Sequence, residues 1–180
     1  HRLKLILGAL IVFVILLNGD LGTSTNVIAL SAQTSRFVTV GNELEFSIDF
    51  TSHTPVNAVG VSLSYPLQVI TVSDINDKNS VVDLWAERMF SNTSGTAQVS
   101  GGITRPGGVS GNGHIATVHF RAMKAGRAKI VLRDAALLAR DGRGTNVLQT
   151  KENVVYYVRD ASQPTSDVNG DGALTLRDAM

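Results

Sequence analysis

The sequence predicts an all-β fold, an antiparallel β-sandwich or jelly roll of about nine strands. Three observations predict it. Apolar residues alternate with polar ones at period two, as where Leu44, Phe46, Ile48 and Phe50 interleave with Glu45, Ser47 and Asp49. Gly, Asn, Asp and Pro punctuate these runs at short intervals. No segment of the body carries a long helical period, a possible helical turn near Ala135–Leu138 being the exception. Alternation buries one face of each strand, which is what two packed sheets require. With 180 residues, 43% of them apolar, and a net charge of +1, the chain has the makings of one main core.

The elements follow in order. Arg2 and Lys4 precede the apolar run Leu5–Leu17, which Asn18-Gly19-Asp20 ends. A basic start and an apolar stretch of that length read as a secretory signal helix. The run falls short of the roughly 20 residues that span a membrane. Ala29-Leu30-Ser31-Ala32 offers small residues for cleavage, and an uncleaved anchor, the one contact with a membrane, is the alternative. Residues 1–32 are assigned to this signal peptide or membrane anchor, and the protein is expected to be secreted or displayed at the cell surface through bacterial-type export.

The sandwich is assigned to residues 33–159, with Val27–Leu30 as a leading strand. Leu44–Phe50 and Val59–Tyr65 alternate, with Pro55 and Asn57 as punctuation between them. Leu67–Val72 follows Pro66, Asp74–Ser80 reads as a polar loop, and Leu84–Phe90 as a short strand. Asn92-Thr93-Ser94 has glycosylation spacing but reads as a loop. Thr96–Ser100 alternates, and Gly101–Gly113 reads as a glycine-rich loop. Ala116, Val118, Phe120 and Ala122 then point one way, as do Ala128, Ile130 and Leu132; Val154–Val158 is the last strand. Residues 160–166, with Pro164, form a linker. Residues 167–180 hold the most specific motif, and the chain, opening on His1 and stopping just after it, reads as a fragment at both ends.

That motif has the spacing of an EF-hand calcium loop. Asp167, Asn169 and Asp171 stand at positions 1, 3 and 5, Gly172 at the sharp turn, and Ala173 at position 7, where the backbone carbonyl binds. Leu174 is the apolar anchor, Thr175 at position 9 holds a water, and Asp178 fills position 12. A hard cation wants six or more oxygens in a flexible cage, so the expected cofactor is Ca²⁺.

Other chemistry is excluded or finds no support. A net charge of +1 without a Lys/Arg stripe argues against nucleic acid. The absence of Cys removes disulfides, thiol catalysis and Cys-type zinc sites. His1, His53, His114 and His119 are scattered, His114 in a loop and His119 facing outward, and no Gly-x-Ser-x-Gly elbow occurs. Glu43, Glu45, Glu87 and Glu152 read as exposed strand acids rather than a glycosidase pair. Asp141-Gly142-Arg143-Gly144 reads as a tight turn, with a second calcium contact conceivable. The chain is not expected to be an enzyme.

Several strings carry a resemblance: Val40-Gly41 before the early strand, AVGVSLSY-P at Ala58–Pro66, Ser100-Gly101-Gly102, HIATVHFRAM at His114–Met123, and the later KAGRAKIVL and LLARDGRGTNVL. Over about Val27 to Val158 the chain resembles a cohesin domain, the β-sandwich receptor module of cellulosome scaffolds. The terminal loop resembles the first calcium repeat of a dockerin, truncated, which also uses Asp at position 12. There are departures. Tyr65-Pro66 lacks the Asp of the cohesin Tyr-Asp-Pro, a single calcium repeat is present, and Leu176 and Arg177 replace the usual Ser/Thr pair at positions 10 and 11.

The resemblance implies an exported, non-catalytic scaffold or adhesion module in polysaccharide-related assemblies, with a dockerin-like or cohesin-like protein partner. By analogy the partner would meet one sheet face, through the outward residues Ser62, Ser64, Gln98, Ser100, Lys129 and Arg133. The alternative is a carbohydrate-binding module of the same architecture, one part of a larger glycoside hydrolase, contacting polysaccharide. That reading requires Trp85 to be exposed beside Tyr156 or Tyr157.

Overall fold

The alternation at Leu44–Phe50 and the one at Val59–Leu63 belong to a single long strand that serves both layers of the fold. The computed structural model describes residues 25–32 and 35–161, all of it strand, turn and loop. The strands are β1 (Val27–Ala32), β2 (Phe37–Thr39), β3 (Glu43–Ser64), β4 (Ile70–Asn76) and β5 (Leu84–Ser91). They continue as β6 (Thr96–Gly102), β7 (Val109–Ala122), β8 (Gly126–Ala139), β9 (Thr150–Glu152) and β10 (Val154–Arg159). The segments 1–24 and 162–180, and with them the signal or anchor helix and the calcium loop, lie outside the described residues.

The first half of β3 runs between β1 and β7, with Ile48 opposite Leu30 and Phe46 opposite Val118. The second half runs between β6 and β8, with Val61 opposite both Val99 and Ala135. The register shifts between Ser52 and Val56, where the strand changes layers. Ser52 is fully buried there, and its hydroxyl donates to the Thr54 carbonyl at 2.7 Å. Pro55 fits the same place because a bulged crossing leaves its missing N–H without a ladder partner to lose. The Pro55–Asn57 punctuation therefore marks a change of sheet within one strand.

The first sheet has the order β9-β1-β3-β7-β4 and the second β5-β6-β3-β8-β10-β2. All pairings are antiparallel except β1–β9 and β10–β2, in which a three-residue strand lies parallel along one edge of each sheet. The other two edge strands carry bulges, at Val72–Asp74 in β4 and Trp85–Glu87 in β5. Between the sheets lie Leu44, Phe46, Ile48, Phe50, Leu63, Phe120, Ile130 and Leu137, all 2% exposed or less. Each such side chain contributes roughly 1.5–3 kcal/mol, which accounts for a fold without disulfides. The edge of the Tyr65 ring meets the Phe120 ring at 5.1 Å, and the Tyr156 hydroxyl donates to the Glu45 carbonyl at 2.6 Å, each joining one sheet to the other.

Several expectations change. The leading strand expected at Val27–Leu30 extends to Ala32 as β1, an inner strand with Ile28 and Leu30 buried. Ala135–Leu138 is not a helical turn; it pairs with Ala58–Val61 inside β8. Pro66–Val69 is a turn closed by Val69 N–H to the Pro66 carbonyl at 3.0 Å, and β4 takes up Asp74–Asn76 from the expected loop. The glycine-rich loop shrinks to 103–108, since Gly101 and Gly102 belong to β6 and Val109–Gly113 to β7. The reason is close approach: a Cβ on Gly113 would lie 2.3 Å from the Phe50 ring, and one on Gly101 2.6 Å from the Leu84 carbonyl. The remaining loop is tied down by Asp83, which accepts from the Thr104 N–H and hydroxyl at 2.9 and 2.8 Å. Those bonds hold the Asp83 carboxyl below the usual carboxylate range.

The β5–β6 turn contains Asn92, whose amide oxygen and nitrogen are both bonded. Its Nδ2 donates to the Val72 carbonyl at 2.8 Å, while its Oδ1 accepts from Val72 N–H and the Tyr65 hydroxyl, both at 2.9 Å. A glycan on Asn92 would break this junction between β4 and the second sheet. Burial pushes the Tyr65 phenol up to about 12.

Two outcomes follow from the packing. Gly113→Ala lowers stability by about 1–3 kcal/mol, because Phe50 is walled in and cannot move aside; the urea midpoint falls with the slope unchanged. The Tyr65 pKa is raised on folding, so its contribution is complete below the ordinary phenol value near 10 and is lost as pH rises towards about 12. Stability measured across that range declines in the native chain and declines less in Tyr65→Phe.

Candidate functional site

The outer face of the β5-β6-β3-β8 sheet is the surface on which the outward-pointing residues of four strands converge. Its centre is set by register: Gly60 lies opposite Ser100 and Ala136, Ser62 opposite Gln98 and Asp134, and Ser64 opposite Thr96 and Val131. On the β5 side Glu87 pairs with Ser100 and Met89 with Gln98. The six residues singled out from the sequence all lie here. Ser62, Ser64 and Ser100 are half-buried in the floor, while Gln98, Lys129 and Arg133 stand exposed. Arg133 Nε donates to the Ser64 hydroxyl at 2.8 Å, and the Ser100 hydroxyl donates to Glu87 at 3.4 Å.

The face is graded across its width. Leu84 and Met89 on β5 are 63% and 55% exposed, giving an apolar rim. The middle is floored by Gly60, Ser62, Ser100, Ala135 and Ala136 around a shallow hollow of about 260 Å³, with Glu87 and Asp134 at its margin. A second hollow, of about 370 Å³, is lined by Ser64, Arg127, Lys129, Val131 and Arg133 and is basic. Small side chains keep the floor low, so a rigid partner can approach the sheet closely. The Ser100–Glu87 contact is long, and the face as a whole is broad and shallow.

Parity along β3 and β6 placed Ser62, Ser64, Gln98 and Ser100 on one face. It could not supply Glu87 or Asp134, because both sit beside bulges, at Trp85–Glu87 and at Ser62–Leu63, that reset the register. Gly60 and Ala136 were missed because they have no functional group; their smallness is the signal.

His114 and His119 lie on the outer face of the other sheet and are closer together than a scattered pair would be. His114 is in β7, not a loop, and its Nδ1 meets Asp49 at 2.8 Å. His119 does point outward, with Nδ1 3.1 Å from Glu45. Ser47 and Thr117 separate the two pairs along a polar trough of about 490 Å³. Among the described residues no group of three or more His, Asp or Glu side chains is placed to hold a metal ion. Asp141 spends its carboxylate on its own turn, accepting from Arg143 N–H at 2.9 Å and from the Thr145 hydroxyl. Asp167, Asn169, Asp171, Ala173, Thr175 and Asp178 lie outside the described residues.

The aromatic arrangement that a sugar-binding reading requires is not formed. Trp85 is half-buried on β5 with the Arg88 guanidinium 5.6 Å from its ring, and Tyr156 is fully buried in β10. Tyr157 is exposed but stacks on Phe37, at the far edge of the second sheet from Trp85.

No protein-family model matches the sequence, and no curated protein matches it. Solved structures do. The seventh ScaB type I cohesin from Pseudobacteroides cellulosolvens is 12% identical, with a TM-score of 0.61, over 78% of this chain and 96% of that one. The non-cellulosomal cohesin from the archaeon Archaeoglobus fulgidus is 20% identical, with a TM-score of 0.56, over 75% and 91%. A type I cohesin–dockerin complex from Clostridium thermocellum, Coh-OlpC with Doc435, is similar at 11% identity and a TM-score of 0.59, over 76% and 94%. At such identities the likeness is one of fold, and the described residues have the cohesin fold.

Proposed function

We infer that the chain is a non-catalytic protein-interaction module of cohesin type, docking a dockerin-like or cohesin-like partner on the outer face of β5-β6-β3-β8. The observation that carries this reading is that face itself: a low floor of Gly60, Ser62, Ser100 and Ala136 between an apolar rim and a basic margin. Apolar contact at the rim supplies affinity, and charge at the margin supplies orientation and speed of encounter. A protein of the same fold occurs in complex with a dockerin. The polysaccharide alternative has less support, because Trp85 and Tyr157 are separated by the width of the sheet.

Two further parts complete the reading. The basic start and apolar run of residues 1–17 would export the chain or anchor it at the cell surface, where scaffold and adhesion modules of polysaccharide-related assemblies act. The donor set Asp167, Asn169, Asp171, Ala173, Thr175 and Asp178 has the charge, hardness and spacing for one Ca²⁺. Ion binding would stabilise that segment and leave the sandwich unaffected. At a Kd of about 10 μM and calcium near 1 mM, the linkage amounts to roughly 2.7 kcal/mol.

Three measurements check these statements. In titration calorimetry against dockerin modules, one of them binds, and Ser62→Arg weakens that binding at least about tenfold while the melting temperature is unchanged. Retention on an insoluble polysaccharide that Trp85→Ala abolishes, with no dockerin bound, would establish the sugar reading instead. Titration of calcium chloride into the chain gives a binding heat that Asp167→Ala with Asp171→Ala removes; no heat from the native chain disposes of the calcium loop.

A further inference from the structure

The basic margin of the docking face forms no ion pair among the described residues. Arg127, Lys129 and Arg133 are exposed along one stretch of β8, and no described carboxylate forms an ion pair with any of them. Lys151 adds a fourth cation, its Nζ donating to the Arg133 carbonyl. Asp134 lies beyond the strip, at the neighbouring hollow, and Glu152 is exposed next to Lys151. The strand alongside is β10, with Tyr157 opposite Arg127 and Val155 opposite Lys129.

The chain leaves the sandwich from that strand and turns acidic. Residues 160–180 carry Asp160, Asp167, Asp171 and Asp178 against Arg177 alone, a net of three negative charges. The whole chain being +1, residues 1–159 carry +4. Between Arg159 and Asp167 stand residues 160–166, which span at most about 25 Å. The strip from Arg127 to Arg133 is about 20 Å long in strand geometry. The strand pairing puts Arg159 near the Arg127 end, so Asp167 can reach Arg127 and Lys129, and Asp171 and Asp178, further along the chain, can reach Arg133.

We propose that the acidic C-terminal segment, Asp160–Asp178, docks on the Arg127–Lys129–Arg133 strip of its own sandwich. Each exposed ion pair is weak alone, but tethering sets an effective concentration in the millimolar range, and several pairs form together. The segment then covers the basic margin of the face on which a partner would land. Asp167, Asp171 and Asp178 are also the carboxylates that the calcium reading above assigns to the ion, so ion and strip compete for them and calcium uncovers the margin. That last clause rests on the calcium reading; the docking does not.

The chain has no Cys, so Ala179→Cys gives one attachment point for a nitroxide label. In dilute full-length protein, the amide NMR signals of Arg127–Arg133 lose at least about half their intensity, independent of protein concentration, and salt of about 1 M restores them by screening. Arg127→Glu with Lys129→Glu also restores them, while the remaining amide spectrum reports an intact fold. Signals that keep full intensity, or that fade evenly over the whole surface, overturn the proposal. Fading that grows with protein concentration also overturns it, because the occupant is then a second copy. Excess calcium chloride restores the signals; fading that charge reversal removes but calcium leaves untouched sinks the calcium competition alone.

Discussion

The crossing of β3 from one sheet to the other is the constraint on which the rest of the structure depends. One strand supplies the central rung of both layers, so its inward residues line the core from end to end. Leu44, Phe46, Ile48 and Phe50 do so in the first sheet, and Val59, Val61 and Leu63 in the second. The register of β1 and β7 on one half and of β6 and β8 on the other is fixed by a single covalent segment. A one-residue slip anywhere along β3 would turn its apolar residues outward in both layers together. Ser52 and Pro55 at the crossing are local solutions to that problem. One satisfies a buried backbone group with its hydroxyl, and the other lacks the N–H that the bend would strand.

The same geometry produces the outer face of the second sheet. With β3 at the centre of the second sheet, the outward positions between its inward ones are Gly60, Ser62 and Ser64, and they form the floor. What surrounds that floor comes from strands far away in sequence, and they differ in character: apolar β5 on one side, basic β8 on the other. The surface combines a low floor, an apolar rim and a basic margin.

Much of this was legible in the residues. Period-two alternation located the inward faces of β3, β7 and β8 and placed Ser62, Ser64, Gln98 and Ser100 on one surface. Glycine misled the reading between Gly101 and Gly113, because the residue that frees a turn also permits close contact; nothing local distinguishes Gly113 against the Phe50 ring from a glycine in a loop. The alanines of Ala135–Leu138 suggested helix, whereas their strand state follows from pairing with Ala58–Val61, a contact more than seventy residues away. β2 and β9 have three residues each, too few to show a period. The tail motif is the reverse case. Its reading rests entirely on the order of its oxygen donors.

The borders of the two sheets bear on how this molecule meets others. One border of each layer is closed by a three-residue parallel strand, and the opposite one is distorted by an extra residue in β4 or β5. Among the described residues these devices shorten or bend the straight run of free N–H and C=O groups along each border, which limits recruitment of a further chain by backbone pairing. Contact between side chains across the broad outer faces is a different matter. Such contacts are reversible and can be rewritten one residue at a time without touching the scaffold beneath.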